Sequence, residues 1–240
     1  MARKASYGID APGSVIRLAI FGAICIALRL GLPLIPNDQI VGVAKGFLWV
    51  GMTLLATSLI MFLSSIGWKF GLRDKVVARL DLRGDERVLD VGCGRGLALI
   101  AVAKKLSTGT AVGIDIWSAE DLSHNSPEAV KQNAAIEGVA DRVQIDTGDA
   151  RALPYPDAHF DAVVSITALH NIKSKTDREK ALGEMVRVLK PGGRLSMFDI
   201  FHPFSYVKAL RRLGLPVKAS GLILLWLVPG RRIWGRKPDA

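Results

Sequence analysis

Residues 88–96 read VLDVGCGRG. An apolar run carries an aspartate, and glycines follow at positions 92, 94 and 96. The run predicts a buried strand, the glycines a tight turn, and the apolar stretch after Arg95 a helix. A strand, a glycine turn and a helix N-terminus together make a cradle for a cofactor. On this reading Gly92 and Gly94 leave room for a ligand that approaches the backbone, and Gly96 lets the helix pack on the strand. The spacing G-x-G-x-G differs from the G-x-G-x-x-G of dinucleotide enzymes. Asp90 adds a charge argument. At the carboxyl end of the strand it repels a pyrophosphate and attracts an ammonium.

Working outward, the chain alternates strand and helix. ERVLDVG (86–92), TAVGIDI (110–116), RVQIDTGDA (142–150), FDAVVSITAL (160–169) and RLSMFDIF (194–201) read as strands. LRDKVVARLDL (72–82), RGLALIAVAKKL (95–106) and SPEAVKQNAAIEG (126–138) read as helices, as does DREKALGEMVRVLKPGG (177–193), ending at Pro-Gly-Gly. In the third, Ser126 is the N-cap, Pro127 the first helical residue and Gly138 the residue past the end. This alternation predicts a doubly wound α/β sheet. For ASGLILLWLVPGRRIWGRKP (219–238) the expectation is an antiparallel hairpin turning at Pro229-Gly230, with an interfacial helix as the alternative.

The strand ends place further groups around the same crevice. Asp115 closes the second strand about 20 residues after the glycine turn, where a carboxylate accepts ribose hydroxyls. Asp149 closes the third and can accept from an exocyclic adenine amine. An ammonium, a ribose and an adenine without phosphate describe S-adenosylmethionine.

With these residues in hand the chain resembles class I S-adenosylmethionine-dependent methyltransferases. VLDVGCGRG, GIDI, GDARALPYPDAHFDAVVS and LKPGGRL occur in that family's order and spacing, over roughly residues 72–200. The chain looks most like the group containing the ubiquinone/menaquinone and small-molecule enzymes. The resemblance implies a Rossmann-like seven-stranded sheet whose last strand is antiparallel. It implies S-adenosyl-L-methionine as cofactor, with Asp90, Gly92, Cys93, Gly94 and Gly96 at the methionine end, Asp115 at the ribose, Asp149 and Ala150 at the adenine, and Ile116 on the adenine face. The chain departs from the pattern twice. WSAEDLSHN (117–125) lies between the ribose acid and the next helix, and His170 is followed by Asn171 where relatives often have a second histidine. Trp117 either covers the adenine, lines a substrate mouth or anchors its loop; His124 reads as a surface residue. His170 is the candidate general base, with Asp199, His202, Tyr206 and Tyr155 as weaker candidates.

Residues 1–70 differ in kind from the 71–240 methyltransferase domain. GFLWVGMTLLATSLIMFLSSIGW (46–68) has no charge between Lys45 and Lys69. At 1.5 Å per residue it exceeds the roughly 20 residues that cross a bilayer core, and Trp68 with the flanking lysines suits the interfaces. A second apolar segment, about 14–35, pairs with it through a turn at PLIPNDQ (33–39), which predicts a two-helix transmembrane hairpin. A re-entrant or interfacial first helix is the alternative, and no cleavage site marks a signal peptide. Arg3, Lys4 and Arg17 before the hairpin, and Lys69, Arg73 and Lys75 after it, place the catalytic part on the cytoplasmic side.

Composition agrees. Half of the 240 residues are hydrophobic and the formal charge is +10, with a mean hydropathy of +0.28. Such basicity fits anionic lipid or nucleic acid; no recognition motif supports nucleic acid. Cys25 and Cys93 form no disulfide framework, and no zinc-type spacing occurs. The expected function is methylation of a lipid or other hydrophobic small molecule. A soluble amphiphilic acceptor and a non-catalytic cofactor-binding membrane scaffold are the alternatives.

Overall fold

The computed structural model describes residues 4–32, 38–225 and 228–239, with side chains of 38–42 and 225 outside the description. Its C-terminal part is built on eight strands: β1 (Arg87–Val91), β2 (Thr110–Asp115), β3 (Val143–Thr147), β4 (Phe160–Ile166), β5 (Leu189–Ile200), β6 (Val217–Ala219), β7 (Ile223–Leu225) and β8 (Val228–Arg236). Their order is β3-β2-β1-β4-β5-β8-β6, with β7 also paired to β8. β1 to β5 are parallel to their neighbours, and β8 runs antiparallel to β5. The expected doubly wound sheet with an antiparallel last strand is present. Among the described residues the strand count is eight, because β6 and β7 both pair with the single long β8.

Alternation along the strands sorts side chains to two faces. Val88, Ala162 and Val164 face one core with α3 (Lys69–Val77), α4 (Leu97–Ala103) and α5 (Pro127–Ile136). Leu89, Val91 and Val163 face the other with α6 (Lys175–Val188) and α7 (Pro203–Arg212). Ser126 caps α5 as its sequence indicates, its Oγ accepting from Ala129 N at 3.2 Å.

Three local expectations are corrected. α6 ends at Val188, and Lys190-Pro191-Gly192-Gly193 belongs to the start of β5, because the β4–β5 pairing begins at Phe160↔Leu189 and bulges before Ala162↔Arg194. Pro229 and Gly230 are not a turn: they pair with Leu224 and Ile223 inside the β7–β8 ladder. This strand pairing also removes the interfacial-helix alternative. α7 was not foreseen; its polar composition masks a face on which Tyr206, Ala209 and Leu210 are buried.

The N-terminal part contains two long apolar helices, α1 (Pro12–Gly31) and α2 (Asp38–Leu63). Residues 33–37 of the expected 33–39 turn lie outside the description. Only 6% and 17% of the apolar windows of the two helices are buried, which is unlike core helices of a soluble domain. They pack on each other. The Gly22 and Gly51 backbones meet so closely that a Cβ on Gly51 would stand 2.9 Å from Gly22 O, a small-residue crossing of the kind that apolar helices use. Ser58 Oγ donates to Val15 O across the pair at 2.9 Å.

α2 does not stop at the expected boundary. It passes through a π-helical turn, Ser64–Trp68, into α3 and a 3₁₀ turn, Ala78–Leu80. The predicted separate helix at 72–82 is the lower end of this one rod. Lys69, expected at a lipid–water interface, is only 6% exposed. Its Nζ donates to Tyr7 O and Gly8 O and lies 3.6 Å from Asp10. The first residues explain this. Before α1 begins, residues 5–11 run as a strap across the sheet domain, and Tyr7 is buried in its core.

Candidate cofactor and acceptor cleft

The carboxyl ends of β1, β2 and β4 surround a cleft of about 760 Å³. The β1 strand carries Asp90 to its floor, where the side chain is 2% exposed. Asp90 Oδ2 is buried with no hydrogen-bond partner. Burial, with the Asp115 charge adding to it, pushes the Asp90 carboxyl up to about 7. A buried carboxylate lacking a partner at a ligand cleft is built to meet a cation.

The turn after β1 is held by its own backbone. Gly92 and Gly94 have φ of +73° and +53°, where glycine has no steric cost. The reason for glycine differs from the sequence expectation. A Cβ on Gly92 would fall 2.3 Å from the Ala168 Cβ, and one on Gly94 would fall 2.9 Å from Leu122. Neighbouring loops of the protein occupy that space, so packing and backbone conformation, not ligand approach alone, exclude side chains there. Gly96 is the N-cap of α4, off the cleft wall, and a Cβ there would meet Val130 of α5 and Ile100 of α4, so helix–helix packing takes the place of the expected helix–strand packing. The Cys93 thiol is buried at the cleft edge; burial and the Asp90 charge push it up, so it stays a neutral thiol.

Asp115 is fixed by three donors. Gly94 N donates to Oδ2 at 2.8 Å, and Trp117 N and the Asn125 amide donate to Oδ1 at 2.7 and 3.3 Å. A carboxylate has about four lone-pair sites, so acceptor capacity remains for hydroxyl groups. Ile116, beside it, is 64% exposed into the cleft and offers an apolar face. Asp149 and Ala150 line the same wall. Arg151 grips Asp149 and also reaches Asp177; this guanidinium holds the Asp149 carboxyl below its usual range. Apart from Gly96, every cofactor-cradle residue expected from sequence lines one cleft. An uncompensated anion, a ribose-type acceptor, an apolar plate and a second acceptor fit S-adenosylmethionine.

His170 enters from the loop after β4, on a 3₁₀ turn Leu169–Asn171. Buried Arg178 pins this loop from below through Ile172 O and Lys173 O. The His170 Nδ1 lies 2.6 Å from Asp199 Oδ1, and Asp199 is fully buried. Asp199 also accepts from the backbone N–H groups of His170 and Ile200. A carboxylate facing Nδ1 keeps the proton there and leaves Nε2 with a lone pair. The weaker candidates sort clearly. Asp199 stands behind His170 and off the cleft wall. His202 and Tyr206 are not in the wall either, and Tyr155 is turned to Asp146, 2.8 Å away.

Several wall residues were not assigned to the site from sequence: Tyr7, Asp10 and Ser14, together with Arg17 and Lys69, which read there only as charges flanking the hairpin. They come from the strap, the first turns of α1 and the start of α3, part-way along the α2–α3 rod. The 117–125 insertion is the strap's docking rail. Ala11 N donates to Asp121 O, Ser123 N to Ile9 O, and Ile9 N to Ser123 Oγ. Ser6 and Asn133 exchange hydrogen bonds at 2.9 and 2.8 Å. Trp117 faces away from the cleft and anchors the rail through Thr147 Oγ1. His124 is exposed, as expected.

Residues 89–197 match the protein family described as a methyltransferase domain. Over 129 residues the chain is 37% identical to the methyltransferase GfsG of Streptomyces halstedii, a match covering 54% of this chain and 43% of that protein. It is 35% identical over 130 residues to a demethylmenaquinone methyltransferase of Symbiobacterium thermophilum, covering 54% and 48%. The chain thus spans about half the length of the curated relatives it matches. Among solved structures the [4+2]-cyclase SpnF superposes with a TM-score of 0.58 at 22% identity, over 71% of this chain and 82% of that one. This likeness shows the shared fold. Residues 89–197 therefore match a methyltransferase domain, and the methyltransferases among the relatives support S-adenosylmethionine as the cofactor.

Proposed function

We propose that the chain is a membrane-anchored methyltransferase acting on a lipid or other hydrophobic small molecule, with its catalytic part on the cytoplasmic side. One observation carries this reading: the cleft that holds Asp90, Asp115 and His170 is also walled by the feet of two long apolar helices. A tether could attach anywhere on the domain. This one ends in the active-site wall. Confinement to one surface raises the effective concentration of an acceptor that lives there. Arg3 and Lys4 before α1 and Arg17 in its second turn, with Arg73 and Lys75 after α2, support the cytoplasmic side even with Lys69 buried. The similarity to an enzyme named for demethylmenaquinone supports a hydrophobic acceptor.

S-adenosylmethionine supplies a methyl group on a sulfonium, whose transfer is an in-line displacement needing no metal. The protein's part is placement and proton handling. Asp90 holds the ammonium end and Asp115 the ribose. Ile116 and Asp149 hold the adenine. Alignment of this kind accounts for about 7–11 kcal/mol of a barrier. His170 Nε2 takes the proton from an acceptor hydroxyl, and Asp199 keeps the ring in the required tautomer and stabilises the imidazolium.

The test gives the purified full-length protein tritiated S-adenosylmethionine and a total lipid extract, with Asp115→Ala as control. Label in the organic phase that disappears in the control supports the reading, and mass analysis identifies the product. No label, with cofactor still bound, rejects a lipid acceptor among the lipids supplied.

A further inference from the structure

The orientation of the sheet relative to the apolar helices can be read from contacts. Along the α2–α3 rod, Leu80 lies at the amino end of the strands, where Leu80 O accepts from Arg194. Val76 O accepts from Ser196 Oγ one turn higher. Lys69 has reached the cleft at the carboxyl ends. The rod thus climbs the sheet towards the carboxyl rim, and α2 continues beyond it. Any bilayer that holds α1 and α2 lies over this rim.

The opposite side of the rim carries an apolar ridge that the cofactor site does not use. Phe201, at the end of β5, is 59% exposed; Phe204, at the start of α7, is 62% exposed. Leu222 and Leu224, at the β7 edge, are each 54% exposed. The pairing Ile200↔Gly230↔Ile223 puts all of them at one height. Phe201 holds φ +60°, a conformation that is strained for a bulky residue and marks functional sites. Its ring lies 5.9 Å from the His170 ring, so the ridge runs up to the candidate base. Arg231 lies over Phe204, 4.2 Å from guanidinium to ring centre. No carboxylate among the described residues forms an ion pair with Arg231, Arg17 or Lys173.

We propose that the carboxyl rim is a second membrane-contact surface, seated in the anionic headgroup region of the leaflet that α1 and α2 enter. Phe201, Phe204, Leu222 and Leu224 rest at the boundary of headgroups and acyl chains. Arg231 and Arg17 meet lipid phosphates at either side. The cleft then opens onto the leaflet between the helix feet and the ridge. Its acceptor enters sideways from the bilayer, passing Phe201 to reach His170. Two features commit the occupant to a bilayer: the unpaired cations beside the apolar residues, and the ridge's place at the end of the sheet from which α2 projects. This rests on the membrane reading above.

The experiment uses the full chain in nanodiscs of phosphatidylcholine and phosphatidylglycerol, mixed three to one. Single labelling sites are made in a Cys25→Ser background; Cys93 is buried. Phe204→Cys and Leu224→Cys each carry an environment-sensitive dye. Asp85→Cys, at the amino end of the sheet, is the aqueous control, and Trp49→Cys, exposed on α2, is the bilayer control. The ridge dyes are expected to emit to the blue of the Asp85 dye. Lipids brominated near the headgroups should quench them, and aqueous iodide should not. Ridge dyes that behave like the Asp85 dye while the Trp49 dye is quenched by deeply brominated lipid overturn the docking surface and leave the anchor standing. A Trp49 dye that reads as aqueous overturns both.

Discussion

Replacing Asp90 by asparagine should make the free protein more stable at pH 8 and worse at binding its cofactor. In the free protein the buried Asp90 carboxyl is pushed up to about 7, against about 3.9 in an unfolded chain. The folded state therefore holds a proton that the unfolded state gives up between these values. Stability from this group is full below about pH 4 and is lost as pH rises through 7. That gap corresponds to about 4 kcal/mol at pH 8, an upper bound for what Asp90→Asn can recover. Binding has the opposite sign, because the ammonium of the cofactor requires the carboxylate. Affinity should then be about tenfold weaker at pH 6 than at pH 8, and flat above. Calorimetric titration with S-adenosylhomocysteine reads the affinity, and thermal unfolding in detergent reads the stability. The Asn variant should melt higher than wild type at pH 8, converge with it near pH 4, and lose the pH dependence together with most of the affinity. A wild-type affinity that is flat from pH 6 to 8, or an Asn variant that melts lower at pH 8, refutes the assignment of Asp90 as an uncompensated anion.

Lys69→Met should leave half-buried Asp10 with Ser65 Oγ but without its cation and lower the melting temperature, whereas the double variant with Asp10→Asn should recover much of that loss. His170→Gln should lower turnover about 10²–10⁴-fold with cofactor affinity unchanged. Asp199→Asn should lower turnover with cofactor affinity unchanged, since the His170 ring loses the carboxylate that fixes its tautomer; turnover equal to wild type would make Asp199 merely structural. Gly92→Ala should destabilise by more than Gly138→Ala. Both have positive φ, but only Gly92 also drives a Cβ into Ala168; equal losses in melting temperature would refute the packing reason.

The elements legible in the sequence are those whose signal is local. Alternating apolar strands, the Ser126-Pro127 cap and the glycine turn each stabilise their own conformation, and the structure agrees there. Where pairing partners decide, the sequence misleads. Pro-Gly-Gly at 191–193 reads as a helix stop, yet the extended pairing of β5 claims it; Pro229-Gly230 reads as a turn, yet lies on a paired edge. The cradle acids were legible because charge at a strand end has few other uses. The strap was not. Ser6, Tyr7 and Asp10 are ordinary residues whose partners Asn133, Glu137 and Ser65 are 55 or more positions away. Lys69 looks like an interface lysine until Tyr7 and Gly8 are seen to wrap it. The role of the 117–125 insertion was hidden for the same reason, because its partners Ile9 and Ala11 are more than a hundred positions away.

The strap changes what the apolar helices are for, and a truncation tests it. If α1 and α2 were a tether, a chain beginning at Gly71 would bind cofactor as the full chain does. The contacts argue otherwise. Starting at Gly71 removes Tyr7 from the core, Asp10 and Lys69 from the cleft wall, and the backbone bonds from Ile9 and Ala11 to the 117–125 rail. That rail supplies Trp117 N and Asn125 to Asp115. Each net hydrogen bond is worth about 1 kcal/mol, so losing several should loosen the rail and weaken cofactor binding by at least about tenfold. Melting and circular dichroism establish that the shortened chain is folded, and a peptide of residues 4–12 added back should restore part of the affinity. A folded Gly71 chain that binds cofactor at full strength would reduce the strap to a passive cover. Weak binding rescued by the peptide would mean that the segment leading into the apolar helices is itself a wall of the active site.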